Sequence, residues 1–160
     1  MAASVTPKSN LLEDYEKERG KPMPSFNHGV VQANLVVALN AACRDRFLIA
    51  SELSLASEPP MTPDISICSL RQPDWLHDEI RVAEAPLTTV EIVSPPQSIN
   101  DFVPRIEDYF RFGVRSVWLV LPPLKQVAVF APETEPEVFS EGNVVDPSLE
   151  AIVALDEIFS

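Results

Sequence analysis

The sequence predicts an α/β protein: a mixed α+β sheet with helices packed against it. Three observations carry this. Two segments, one before and one after a group of strand-like runs, space their apolar residues as a helix does. The strand-like runs carry β-branched residues and are separated by proline pairs. Helices and strands do not alternate strictly, which favours a mixed sheet over a doubly wound parallel one.

A short charged helix is expected over Leu11 to Arg19, with Leu11, Leu12 and Tyr15 on one face. Gly20-Lys21-Pro22-Met23-Pro24-Ser25 breaks it into an extended connection, so residues 1–24 form a lead-in to the single domain expected over 1–160. Asn27 is the expected N-cap of the next helix, whose Val31, Leu35, Ala38, Leu39 and Ala42 repeat at helical spacing up to about Arg44 to Arg46. Strands are expected at Phe47 to Leu55, Asp64 to Cys68 and Leu87 to Ser94, the first two separated by Pro59-Pro60. Arg71 to Pro86, with mixed charges, Trp75 and His77, reads as a surface connection.

A second helix starts at Asn100 or Asp101. With Asp101 as N-cap, Pro104 falls in the first turn, Ile106, Tyr109 and Phe110 form the apolar face, and Gly113 ends the helix. Val117 to Leu121 is an unbroken apolar strand, and Gln126 to Phe130 returns beyond Pro122-Pro123. The order is helix, strand, strand, strand, helix, strand, strand. A tail with a Glu141-Gly142-Asn143 turn and an apolar Ala151 to Phe159 segment follows.

Composition narrows the function. With 4 glycines the chain has no glycine-rich phosphate loop, which sets aside P-loop and dinucleotide-binding readings. Two cysteines, Cys43 and Cys68, are too few for a disulfide framework and stand at no zinc-ligand spacing from the two histidines. No run approaches the roughly 18 apolar residues of a membrane span. Met1 to Asn10 lacks a secretory pattern, so a cytoplasmic protein is expected. The net charge of −12, from 24 acidic and 12 basic residues, opposes simple DNA binding, which uses a basic face. Cations bridging cleft carboxylates to phosphate, or basic residues gathered on one side, would reconcile the two.

Asp64 follows Pro63 at the head of one strand, and Glu91 lies inside the next. A carboxylate in an apolar strand costs free energy unless it is paired or binds a cation. If these strands are neighbours, the two acids converge, offering the oxygen ligands that Mg²⁺ prefers. Arg105, early in the second helix, leans towards the helix N-terminus and so towards Glu91. Structural readings compete. Asp64 could be a turn residue, Glu91 could be an ion-pair partner of Arg105, and His28 could cap or pack. Trp75 could stack on a base or, more simply, anchor its loop, His77 could be merely solvated, and Tyr109 and Trp118 read as core.

Pro63-Asp64, Glu91-Ile92-Val93-Ser94-Pro95, Asp101-x-x-x-Arg105-x-x-x-Tyr109 and Gly113-Val114-x-x-Val117-Trp118-Leu119-Val120 occur in order. With His28 before a helix and the tail with its Glu-Gly turn, this string resembles the Uma-type family. That bacterial family is named as restriction endonucleases and placed in the PD-(D/E)XK nuclease superfamily. The resemblance runs from about Tyr15 to the C-terminus. It implies a restriction endonuclease-like core, with Asp64 and Glu91 binding Mg²⁺ or Mn²⁺. The lysine that follows the second acid by two residues in the standard motif is Val93 here. The variant in which that lysine has moved to the next helix has Arg105 in its place. Arginine can clamp a phosphate but cannot cede a proton near neutral pH. Glu52 is a further candidate acid, and His28 a possible addition.

The function implied is a Mg²⁺-dependent endonuclease or phosphodiesterase acting on DNA, as a homodimer if both strands are cut. The alternative is a catalytically impaired nuclease fold serving as a binding or regulatory module. Asp64 and Glu91 favour the first reading; Arg105 and the acidic charge favour the second.

Overall fold

The first long element is helix α1 (Phe26–Cys43); the computed structural model describes residues 16–17 and 20–160. The helix expected over Leu11 to Arg19 lies outside the described residues except for Glu16 and Lys17, which are helical. Ser25, not Asn27, caps α1: its Oγ accepts the His28 N–H at 3.2 Å. Serine caps as well as asparagine, and the earlier start turns His28 inward, where it is buried.

Three strands follow, β1 (Phe47–Ser51), β2 (Ile65–Ser69) and β3 (Thr88–Ile92), then helix α2 (Ile99–Phe112). Beyond it lie β4 (Ser116–Leu121), a 3₁₀ turn at Pro122–Leu124, β5 (Gln126–Phe130) and β6 (Glu137–Phe139). The helix and strand order expected through β5 is observed. These six strands form one sheet in the order β1-β2-β3-β4-β5-β6. Only the β3–β4 pair, joined through α2, is parallel. The sheet is therefore mixed, as the sequence predicts.

All six residues of β4 are buried, because both faces of the sheet are covered. On one face, Trp118 and Val120 join Ile65, Ile67, Val90 and Ile92 beneath Val31, Leu35 and Leu39 of α1. On the other, Val117, Leu119 and Leu121 pack with Phe102, Ile106 and Tyr109 of α2. Each such apolar side chain contributes roughly 1.5–3 kcal/mol on burial. The apolar tail segment divides into a strand and one helical turn. Strand β7 (Asn143–Asp146) pairs with β8 (Ala151–Ala154), and α3 (Leu155–Ile158) closes the α1 side.

Helix α2 starts at Ile99 with Ser98 as N-cap, and Asp101 is the acid of its capping box. Pro104 thus lies in the second turn, not the first, and the Asn100 carbonyl, on an exposed residue, loses its usual i+4 donor. Gly113 ends the helix at φ 118°, and its N–H reaches the Tyr109 and Phe110 carbonyls. Trp75 is 87% exposed and so is not the anchor of its loop. Among the described residues no helix is long and apolar enough to cross a membrane.

One buried acid is held by neutral donors. Asp146 accepts from Trp118 Nε1 at 2.7 Å, Ser116 Oγ at 2.6 Å and the Ser148 N–H at 2.9 Å. Neutral donors satisfy both of its oxygens, tying β7 to β4.

Candidate metal centre

Asp64 and Glu91 meet because β2 and β3 are antiparallel neighbours with Ile65 opposite Val90. One residue further along that register, Asp64 faces Glu91. Both carboxylates are fully buried. Burial of two anions requires strong compensation, and among the described residues donors from Lys21, His28, Ile92, Arg105 and Tyr109 surround the pair.

Each carboxylate has one oxygen pinned by the fold and one turned to a shared point. Asp64 Oδ2 accepts the Ile92 N–H at 2.7 Å. Glu91 Oε1 accepts the Tyr109 hydroxyl at 2.5 Å and lies 3.5 Å from Arg105 Nη1. The remaining oxygens, Asp64 Oδ1 and Glu91 Oε2, lie 2.5 Å and 3.4 Å from Lys21 Nζ. His28 Nε2 stands 3.1 Å from Asp64 Oδ1, a contact that requires its hydrogen on Nε2. His28 Nδ1 is buried with no partner among the described residues.

The elements explain the convergence. The N-terminal turn of α1 brings His28, and the connection before it brings Lys21. Helix α2 presents Arg105 and Tyr109 four residues apart on one face. Arg105, one-fifth exposed, leans towards the helix N-terminus, donates from Nη2 to the Gly20 carbonyl and stacks 5.6 Å from the Phe102 ring centroid. The ion pair between Arg105 and Glu91 that the sequence raised as an alternative is thus present, beside a second cation.

Burial pushes the Asp64 carboxyl up, but the His28 hydrogen bond and the charges of Lys21 and His28 outweigh it and hold the group at about 2, against an ordinary 3.8. A depressed folded-state value stabilises the fold above the ordinary value and loses that contribution as pH falls towards 2. Acid should therefore remove about 2 kcal/mol of wild-type stability between pH 4 and 2 through this residue. Urea unfolding across that range is expected to show a flatter pH dependence in Asp64→Asn. Equal slopes would remove Asp64 as the source.

Burial, then Glu91, raises the Tyr109 hydroxyl well above its ordinary value, so it remains a donor at neutral pH. Tyr109→Phe removes a hydrogen bond to a buried charge and should cost about 2 kcal/mol in chemical denaturation. An unchanged midpoint would show that Arg105 and Lys21 alone satisfy Glu91.

Of the residues singled out from sequence, Asp64, Glu91, Arg105 and His28 come together. Glu52 does not join them as a strand residue: it follows the end of β1 in a left-handed conformation, φ 53°, and is exposed. Its N–H bonds the Asp64 carbonyl at 3.0 Å, and its carboxylate takes the Gln32 amide at 3.3 Å. Lys21 and Tyr109 are additions to the site. The i, i+4 pairing of Tyr109 with Arg105 could have signalled the tyrosine; nothing periodic marks the lysine.

Asp64 Oδ1 and Glu91 Oε2 are hard oxygen donors of the kind a divalent ion takes, and the Lys21 ammonium stands between them as a built-in cation. Among the described residues no group of three or more His, Cys, Asp or Glu side chains is placed to hold a metal. Asp64 and Glu91 are the two carboxylates that could hold an ion, and Mg²⁺, which keeps several waters, needs few protein ligands.

A crystal structure of a "putative nuclease belonging to DUF820" from Anabaena variabilis is similar, with 26% identity and a TM-score of 0.73 over 86% of this chain and 83% of that one. No curated protein sequence matches. The model of the Uma2 family, described as "Putative restriction endonuclease", matches residues 16–155. With that match across most of its length, the chain belongs to the Uma2 family.

Proposed function

We propose that this protein is a divalent-metal-dependent endonuclease that hydrolyses DNA phosphodiester bonds. The observation that carries this reading is the convergence of Asp64 Oδ1 and Glu91 Oε2 on one point within a fully buried pair. Mg²⁺ or Mn²⁺ held by these oxygens would polarise a phosphate and lower the pKa of a bound water. The protein's own residues do the positioning. Ile92 N–H and His28 fix the Asp64 carboxylate, and Tyr109 and Arg105 fix Glu91. Arg105, partly exposed, is placed to meet a phosphate and neutralise its charge.

The acidic net charge fits a substrate phosphate bridged through the ion rather than gripped by a broad basic face. A homodimer and a cytoplasmic location belong to the same proposal. Support for the dimer is that α1 leaves Phe26, Val30 and Val37 exposed along its length. Plasmid cleavage with Mg²⁺ or Mn²⁺, set against EDTA and against Asp64→Asn, tests the activity. Cleavage that persists in both controls would contradict it.

A second reading is favoured by Lys21. Lys21 and Arg105 neutralise the two acids without a metal, as a non-catalytic binding module would require. Absence of cleavage by wild type, by Arg105→Lys and by a Lys21 variant, with every metal tried, would select it.

A further inference from the structure

We propose that Lys21 is a tethered cation that occupies the metal position, so that a divalent ion loads only when the segment carrying it swings out. This inference rests on the divalent-cation reading above. An ion held by Asp64 Oδ1 and Glu91 Oε2, at ligand distances of about 2.1 Å, needs the space that Nζ fills at 2.5 Å and 3.4 Å from those atoms. A second positive charge at that point repels the first, so ammonium and metal exclude each other.

The connection before α1 is built to hold the lysine there. Gly20 and Lys21 donate their N–H groups to the Glu16 carbonyl at 2.8 Å and 3.2 Å. Gly20 adopts φ 73°, a conformation suited to glycine, which directs the chain inward at Lys21. Its carbonyl accepts from Arg105, which also contacts Glu91. Arg105 thus latches the segment from across the site. Pro22 and Pro24 stiffen the path from Lys21 to the Ser25 cap. The Lys21 side chain, buried to 2% exposure, is shielded while the latch is closed.

Two measurements test this. Titration calorimetry with Mn²⁺ on the full chain is expected to give Lys21→Met an affinity roughly tenfold or more above wild type, since the closed latch leaves a minor fraction of wild-type sites competent. The second uses wild type alone: an amine-reactive ester, with mass-spectrometric readout, should modify Lys21 slowly without Mn²⁺ and markedly faster with it. Equal Mn²⁺ affinity in wild type and Lys21→Met overturns the inference and leaves the metal site standing. No binding by either overturns both. Should Lys21→Met fail to fold, labelling decides: a Lys21 rate unaffected by Mn²⁺, in protein shown calorimetrically to bind it, overturns the proposal.

Discussion

Asp64→Asn is expected to lower metal-dependent DNA cleavage by roughly 10²- to 10³-fold. The substitution preserves shape and removes the charge, and the surroundings of Asp64 explain why asparagine fits poorly. One oxygen accepts the Ile92 N–H, and the other faces Lys21 and His28, all of them donors. An asparagine must turn its NH₂ group towards one of these sets, so a donor meets a donor in either orientation. The variant should also lose roughly 1–3 kcal/mol of stability. Circular dichroism at the assay temperature separates the two effects: a folded, inactive variant supports the metal-ligand role. Cleavage at the wild-type rate would take Asp64 out of the chemistry.

Lys21→Met is expected to destabilise the metal-free protein by about 3–5 kcal/mol, because removing one partner of a buried ion pair strands the other. Here two carboxylates are stranded, and Arg105, His28 and the Tyr109 hydroxyl compensate only in part. Mn²⁺ should restore much of the loss, since an ion bound only by the folded state stabilises it by mass action. Urea unfolding of both proteins in EDTA and in excess Mn²⁺ checks this. A deficit unchanged by Mn²⁺ would mean that Lys21 acts as a structural counter-ion alone.

The contrast with Asp146 sharpens the assignment. Both sites bury carboxylates, yet Asp146 is satisfied by neutral donors from Trp118, Ser116 and Ser148. The Asp64–Glu91 pair instead draws Lys21 onto the two oxygens that converge, with Arg105 beside the other oxygen of Glu91. A buried acid is no metal signal in itself; the metal proposal rests on two acids that share a cation.

Much of this was legible in the sequence because local rules governed it. An acid inside the apolar run Leu87 to Ser94 stands out, and the lean of helical side chains correctly sends Arg105 towards Glu91. Strand pairing then decided whether Asp64 and Glu91 would meet. Tyr109 reads from its apolar spacing as core, and its ring does pack with Phe102 and Ile106; its i, i+4 relation to Arg105 is the one hint of the hydroxyl's contact with Glu91, 18 residues away. Lys21 was invisible for a related reason. It sits in an aperiodic stretch of glycine and proline, 43 residues from Asp64 and 70 from Glu91, and only tertiary folding brings them together. Glu52 was misplaced because β1 stops at Ser51, where the chain turns left-handed. That turn does not show in the apolar pattern of Phe47 to Leu55.

The central claim is that Asp64 and Glu91 form a divalent-cation site. Calorimetric titration of Mn²⁺ into wild type, Lys21→Met, Asp64→Asn and Glu91→Gln tests it most directly. The account predicts binding of a single ion per chain in the first two proteins and its loss in the last two. Binding unchanged in Asp64→Asn and Glu91→Gln, or no binding even with Lys21 removed, would contradict it.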